Sequence, residues 1–151
     1  MAHLFAPQPS LENLPVFYNV DGAVGAQPAE NRREDVLLVQ FMLETIGRQP
    51  RSVTPPAAVE ACKKVKATGV IDDATINAIR VFQKTDSHPA TFDGRVSPAR
   101  GGYGYGPAAF VIANLNNALQ DRNVELWPRI DMIPNFPPEL KDMVIRTVRG
   151  N

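Results

Sequence analysis

From Thr68 to Pro98 the chain reads T-G-V-I-D-D-A-T-I-N-A-I-R-V-F-Q-K-T-D-S-H-P-A-T-F-D-G-R-V-S-P, and this stretch restricts the fold more than any other. Gly69 opens a turn, the carboxylates of Asp72 and Asp73 precede Thr75, and Ile76, Ile79 and Phe82 then recur at helical spacing. A short capped helix is expected, ending at Phe82 and Gln83. Beyond it a polar loop containing His88 and Pro89 leads to Asp93-Gly94, a dipeptide whose glycine takes the positive φ that tight turns require. The stretch reads as turn, helix, loop, turn.

Two further segments carry strong helical patterns. Asn31 stands as a cap before Arg32 to Gly47, with Glu34 and Asp35 in the first turn and a glycine at the end. Val36, Val39, Leu43 and Ile46 form one stripe, which Leu37, Leu38, Phe41 and Met42 widen, so burial from several sides is expected. Ala108 to Gln120 repeats the pattern with Val111 or Ile112, Leu115, Ala118 and Leu119. The expected shared core is Val36, Val39, Leu43, Ile76, Ile79, Phe82, Leu115 and Leu119. Between the first two helices, Pro50, Pro55 and Pro56 stiffen a loop. Ala57 to Ala67 then reads as a helix with Ala58, Cys62 and Val65 on one side and a solvated face of Glu60, Lys63, Lys64 and Lys66 on the other.

The ends are less regular. Residues 1–30 carry Pro7, Pro9, Pro15 and Pro28 with Gly22 and Gly25, and read as a proline-rich arm. Its one apolar run, Leu14 to Val20, suits a short strand or an extended strip over the domain. Past Arg122, residues 122–151 form an extension with Trp127-Pro128, Phe136-Pro137-Pro138 and an amphipathic helix from Glu139 to Val148 that turns Leu140, Met143, Val144 and Thr147 inward.

With these residues in place, the chain resembles the peptidoglycan-binding-like domain of cell-wall amidases and lysins. That family repeats D-G-x-x-G-x-x-T, an apolar helix closing on F-Q, and a second D-G-x-x-G-P. Here Ile71 to Thr75, including Asp72 and Asp73, stands at the first turn; Phe82-Gln83 matches the helix end; and Asp93-Gly94-Arg95-Val96-Ser97-Pro98 matches the second turn. The first turn lacks the family's glycines, and Ser97 replaces the last glycine of the second. Asp35-Val36-Leu37-Leu38-Val39-Gln40 is similar to the family's first helix, where D-V-x-x-L-Q is usual. The resemblance implies a mainly α fold: a three-helix peptidoglycan-binding-like bundle over residues 31–121, carrying an inserted helix, with an irregular N-terminal arm and a C-terminal helical extension packed on it. The segment before the first helix is similar to a leader seen on such domains in enzymes delivered by type VI secretion systems.

Composition narrows the function. Lysines plus arginines number 16, as do aspartates plus glutamates, so no net field draws the chain to nucleic acid. Cys62, the only cysteine, excludes an internal disulfide, and with His3 and His88 as the only histidines no zinc-hydrolase ligand set can be assembled. Asp73 and Asp93 are explained by helix start and turn, so no catalytic residue and no cofactor is expected. No apolar run reaches the ~20 residues of a membrane span. The start, M-A-H-L-F-A-P-Q-P-S, shows no Sec signal, so the expectation is synthesis in the cytoplasm, with delivery to the periplasm or wall by a non-Sec route.

In relatives the wall-binding groove is attributed to the surface beside the turns and loops. The corresponding residues here are Asp93, Arg95, Arg100, Tyr103 and Tyr105, the last two from the glycine-rich run Arg100 to Pro107. Arginine grips carboxylates with paired donors, and tyrosine rings cover sugar or peptide faces. Asp72, Asp73, Thr75, Phe82, Gln83, Gly94 and Pro98 are expected to be structural. The expected role is a non-catalytic module that anchors an associated factor to murein. The alternative is an adaptor subunit of a phage-tail-like or type VI secretion assembly, using the same fold to contact protein.

Overall fold

The structure, a computed structural model, describes residues 3–5, 17–86, 93–99 and 111–148. It is mainly helical. Among the described residues there are five α-helices, α1 (Arg33–Arg48), α2 (Pro56–Lys63), α3 (Asp73–Asp86), α4 (Val111–Arg122) and α5 (Lys141–Val148), together with four short strands. The strands pair antiparallel in two ribbons: β1 (His3–Phe5) with β2 (Phe17–Asn19), and β3 (Val24–Gly25) with β4 (Arg95–Val96).

Helix α1 is the axis of the molecule. Its burial is unbroken from Asp35 to Leu43 and resumes at Thr45, because α2, α3, α4 and β3 all pack against it. A helix apolar on one stripe needs one neighbour, whereas the widened apolar surface of α1 needs several. Gly47 does not terminate the helix, which continues to Arg48. At Gly47 a Cβ would lie 2.8 Å from the Lys63 backbone nitrogen, so the missing side chain lets α2 close in.

Several local expectations are corrected. Asn31 does not cap α1: it sits at φ 52°, and its side chain accepts from Gly25 N–H at 2.8 Å and donates to the Gly25 carbonyl at 3.0 Å. The cap position is Arg32, which makes no side-chain cap bond. Asp35 instead accepts from the backbone N–H groups of Asp21 (3.1 Å) and Gly22 (3.0 Å), tying the incoming chain to the first turn of α1. Helix α3 runs past Gln83 to Asp86, and α2 stops at Lys63 short of Ala67. Ile76 is half-buried and outside the core, since Thr75, Ala78, Ile79 and Phe82 take the inward positions of α3. The tail helix begins at Lys141, after a single 3-10 turn over Pro138–Leu140. Ala108 to Phe110, expected in the third main helix, lie outside the described residues.

Both ends are built into the core instead of lying over it. Tyr18, Val20 and Val24 are fully buried, and so are Ile130 and Val144 from the other end. Buried polar groups must be satisfied, and two asparagines do this while joining distant segments. Asn116 accepts from Tyr18 N–H at 2.5 Å and donates to the Tyr18 carbonyl at 2.8 Å, while Asn19 makes the same two-way clamp on Ala99 at 2.9 and 2.8 Å. The Tyr18 hydroxyl donates to the Pro128 carbonyl, its ring meets Trp127 edge-on at 5.8 Å, and burial pushes the phenol pKa up. N-terminal strand and C-terminal tail therefore share one seam.

Candidate functional site

Two turns at the ends of the Thr68–Pro98 stretch are each held by one buried glutamine. Gln40, on α1, accepts through Oε1 from the N–H groups of Thr68 and Gly69, both at 2.9 Å. Its Nε2 donates to the Val70 carbonyl at 3.0 Å and to Thr75 Oγ1 at 3.1 Å. The Thr75 hydroxyl in turn donates to Asp72 Oδ1 at 2.6 Å, and the same oxygen caps α3 by accepting from Thr75 N–H at 2.8 Å. Asp72 is thus the capping carboxylate, while Asp73 is the exposed first residue of the helix.

Gln83, on α3, repeats the device. Its Oε1 accepts from Gly94 N–H at 3.0 Å, and its Nε2 donates to Asp93 Oδ1 at 3.0 Å and to the Arg95 carbonyl at 3.2 Å. Asp93 Oδ1 also accepts from Arg95 N–H at 3.0 Å. Gly69 and Gly94 stand at φ 82° and 72°, the left-handed region in which glycine meets no Cβ penalty. Phe82, beside the second clamp, is a core residue, and half-buried Pro98 belongs to the segment that Asn19 fixes through Ala99. Arg33 braces the first turn from outside, donating to the Thr68 carbonyl at 3.1 Å and forking onto both oxygens of Glu139 at 2.6 and 3.0 Å.

Of the five expected ligand contacts, the structure brings Asp93 and Arg95 together at the second turn, each with 31% of its side chain exposed. Arg100, Tyr103 and Tyr105 lie outside the described residues. Arg95 and Asp93 form an ion pair at 3.4 Å, and Arg95 also donates to the Gln27 carbonyl at 3.0 Å. A ligand carboxylate arriving here therefore competes with Asp93 for the guanidinium, which favours a partner offering two acceptors. Among the described residues, no group of three or more His, Cys, Asp or Glu is placed to hold a metal ion, and no helix is long and apolar enough to cross a membrane.

The role of Gln40 escaped the sequence reading. Its signal was present: a glutamine in the middle of an otherwise apolar helix surface is fully buried only if its amide is satisfied. Replacing either glutamine by alanine leaves a buried backbone N–H, that of Gly69 or of Gly94, without its partner and removes further bonds at the same turn. Gln40→Ala and Gln83→Ala should each lower stability by about 1–3 kcal/mol in denaturant titrations. A Gln83→Ala protein of undiminished stability that no longer bound its ligand would move Gln83 from scaffold to contact.

Comparison with protein-family models, curated proteins and solved structures finds no match for this chain.

Proposed function

We propose that the chain is a peptidoglycan-binding module of the three-helix type, with α1, α3 and α4 as its main helices, α2 as an insertion, and ends that complete the core. What supports this reading is the paired clamp: the glutamine of the first-helix motif holds the first turn, and the glutamine of the F-Q motif holds the second. The two clamped turns then present exposed Val70 at the first and the part-exposed Asp93 and Arg95 at the second. In this reading Arg95, together with Arg100, Tyr103 and Tyr105, contacts murein, and the module anchors an associated factor to the wall.

Purified sacculi test it. The wild-type protein should sediment with them, and an Arg95→Ala, Tyr103→Ala, Tyr105→Ala triple variant should remain largely in the supernatant. If neither protein sediments, wall binding is wrong for this chain. The adaptor role in a phage-tail-like or secretion assembly then takes its place, with a partner search starting from the arm before Glu30 and the tail after Arg122.

A further inference from the structure

A pocket of about 220 Å³ opens between the C-terminal half of α3, α4 and the segment joining α1 to α2. Its floor is apolar and made of small or core side chains: Ile46, Ala58, Phe82 and Ala118. Its rim is polar, with Asn117 exposed on α4 and the Arg51–Asp121 ion pair, 3.4 Å long, across the mouth. The side-chain amide of Asn117 makes no hydrogen bond among the described residues.

The wall formed by residues 49–54 is braced from α4 and the residue that follows it. Arg122 donates to the Gln49 carbonyl at 2.7 Å and to Thr54 Oγ1 at 2.9 Å, and Gln49 and Asn123 pair their side-chain amides at 2.9 and 3.3 Å. Thr54 Oγ1 also accepts from Arg51 N–H at 3.1 Å. The inserted segment is therefore fixed as one side of a cavity, and a preorganised wall lowers the ordering cost of binding.

The lining chemistry selects among ligands. Sugar recognition uses the open face of an aromatic ring, and the one aromatic ring among the described lining residues, Phe82, is 2% exposed and serves as floor. A free amide and a neutral ion pair above a small apolar floor match a short peptide: Asn117 pairs with a backbone amide, a methyl-sized side chain fits the floor, and charged groups exchange with Arg51 or Asp121. The cavity, at about 220 Å³, is smaller than the roughly 300–1,000 Å³ of drug-sized sites, so it takes one or two residues of a peptide and leaves the remainder outside. We propose that the stem peptide of murein, and not its glycan strand, seats in this pocket, an inference that rests on the wall-binding reading and assigns the inserted segment its role.

The test is a titration of the ¹⁵N-labelled full chain, followed by NMR, with the tripeptide L-alanyl-γ-D-glutamyl-L-lysine and separately with chitotetraose. The tripeptide should shift the Asn117 side-chain amide and the backbone amide of Val53, which lines the mouth, and the saccharide should leave both in place. Asn117→Ala and Arg51→Ala alter exposed side chains and should melt like the wild type while weakening the tripeptide about tenfold each. Absence of those shifts, or unchanged tripeptide affinity in both variants, overturns the proposal. Sacculi separate this failure from failure of wall binding. Retention of the wild type and both variants alike, without peptide shifts, leaves the wall reading standing and removes the pocket; loss of retention in the wild type removes both.

Discussion

Leu43→Ala and Phe82→Ala should each destabilise the protein by about 2–5 kcal/mol, the cost of removing a buried large side chain and leaving a cavity that the surroundings fill only in part. Leu43 is fully buried on α1, Phe82 is 2% exposed on α3, and both belong to the one cluster that holds all the buried helices together. For a chain of this length about 2–4 °C of melting temperature corresponds to each kcal/mol, so each variant should melt roughly 5–15 °C below wild type by circular dichroism. Ile76→Ala supplies the internal comparison. Ile76 lies one residue off the inward positions of α3 and is half-buried, so its truncation should cost clearly less. If Leu43→Ala and Phe82→Ala melted like the wild type, the packing of α1 against α3 would be wrong.

The contrast between Phe82 and Ile76 marks how far periodicity carries. A stripe repeating at three and four residues located α1, α3 and α4 and named Val36, Val39, Leu43, Ile79, Phe82, Leu115 and Leu119, all of which are buried. It could not decide between Ile76 and Ala78, because both fit a stripe and only the neighbouring helix chooses. Asn31 misled for a related reason. Asparagine is favoured both at helix caps and at positive φ, and here the second use prevails, with its amide locking Gly25. The pairing of Val24–Gly25 with Arg95–Val96 left no trace in the sequence, since two-residue strands carry no alternation to read. The ends were read as an arm and an extension because prolines broke their patterns. Proline interrupts regular structure without preventing burial, and Tyr18, Val20, Ile130 and Val144 are buried all the same.

The polar side of the candidate site was legible in half. Gln83 and Asp93-Gly94 are close in sequence, so a helix end followed by a tight turn points to their meeting. Gln40 reaches Thr68 and Gly69 across the whole inserted segment, and a contact of that separation is set by how α1 and α3 pack. The pocket beside α4 is likewise a product of packing. Its wall comes from residues 49–54, its brace from Arg122 and its rim from Asn117 and Asp121, which no local motif links.

Gly25→Ala should be as damaging as the core truncations, although it adds only a methyl group at a two-residue ribbon. Gly25 sits at φ 130°, a conformation closed to residues with a side chain, and a Cβ built there falls 2.0 Å from the Gly94 carbonyl oxygen. That oxygen cannot retreat freely: it accepts from Ala26 N–H at 3.0 Å, and the Gly94 N–H is held by Gln83. Relief requires β3 and β4 to part, with loss of the Ala26 bond and of the packing of Val24 and Val96, both fully buried. Strained backbone and overpacking each cost about 1–3 kcal/mol, so about 2–6 kcal/mol is expected for the pair of effects. Gly22→Ala is the control, because Gly22 is outside the positive-φ region and its Cβ would meet only the Glu30 side chain, at 3.1 Å, which can swing away. Denaturant titration should place Gly22→Ala near the wild type and Gly25→Ala well below it. Equal midpoints for the two variants would mean that the β3–β4 ribbon does not hold the second turn. Hydrogen exchange at Gly94 and Val96 reads the same contact directly: both amides should lose protection in Gly25→Ala and keep it in Gly22→Ala.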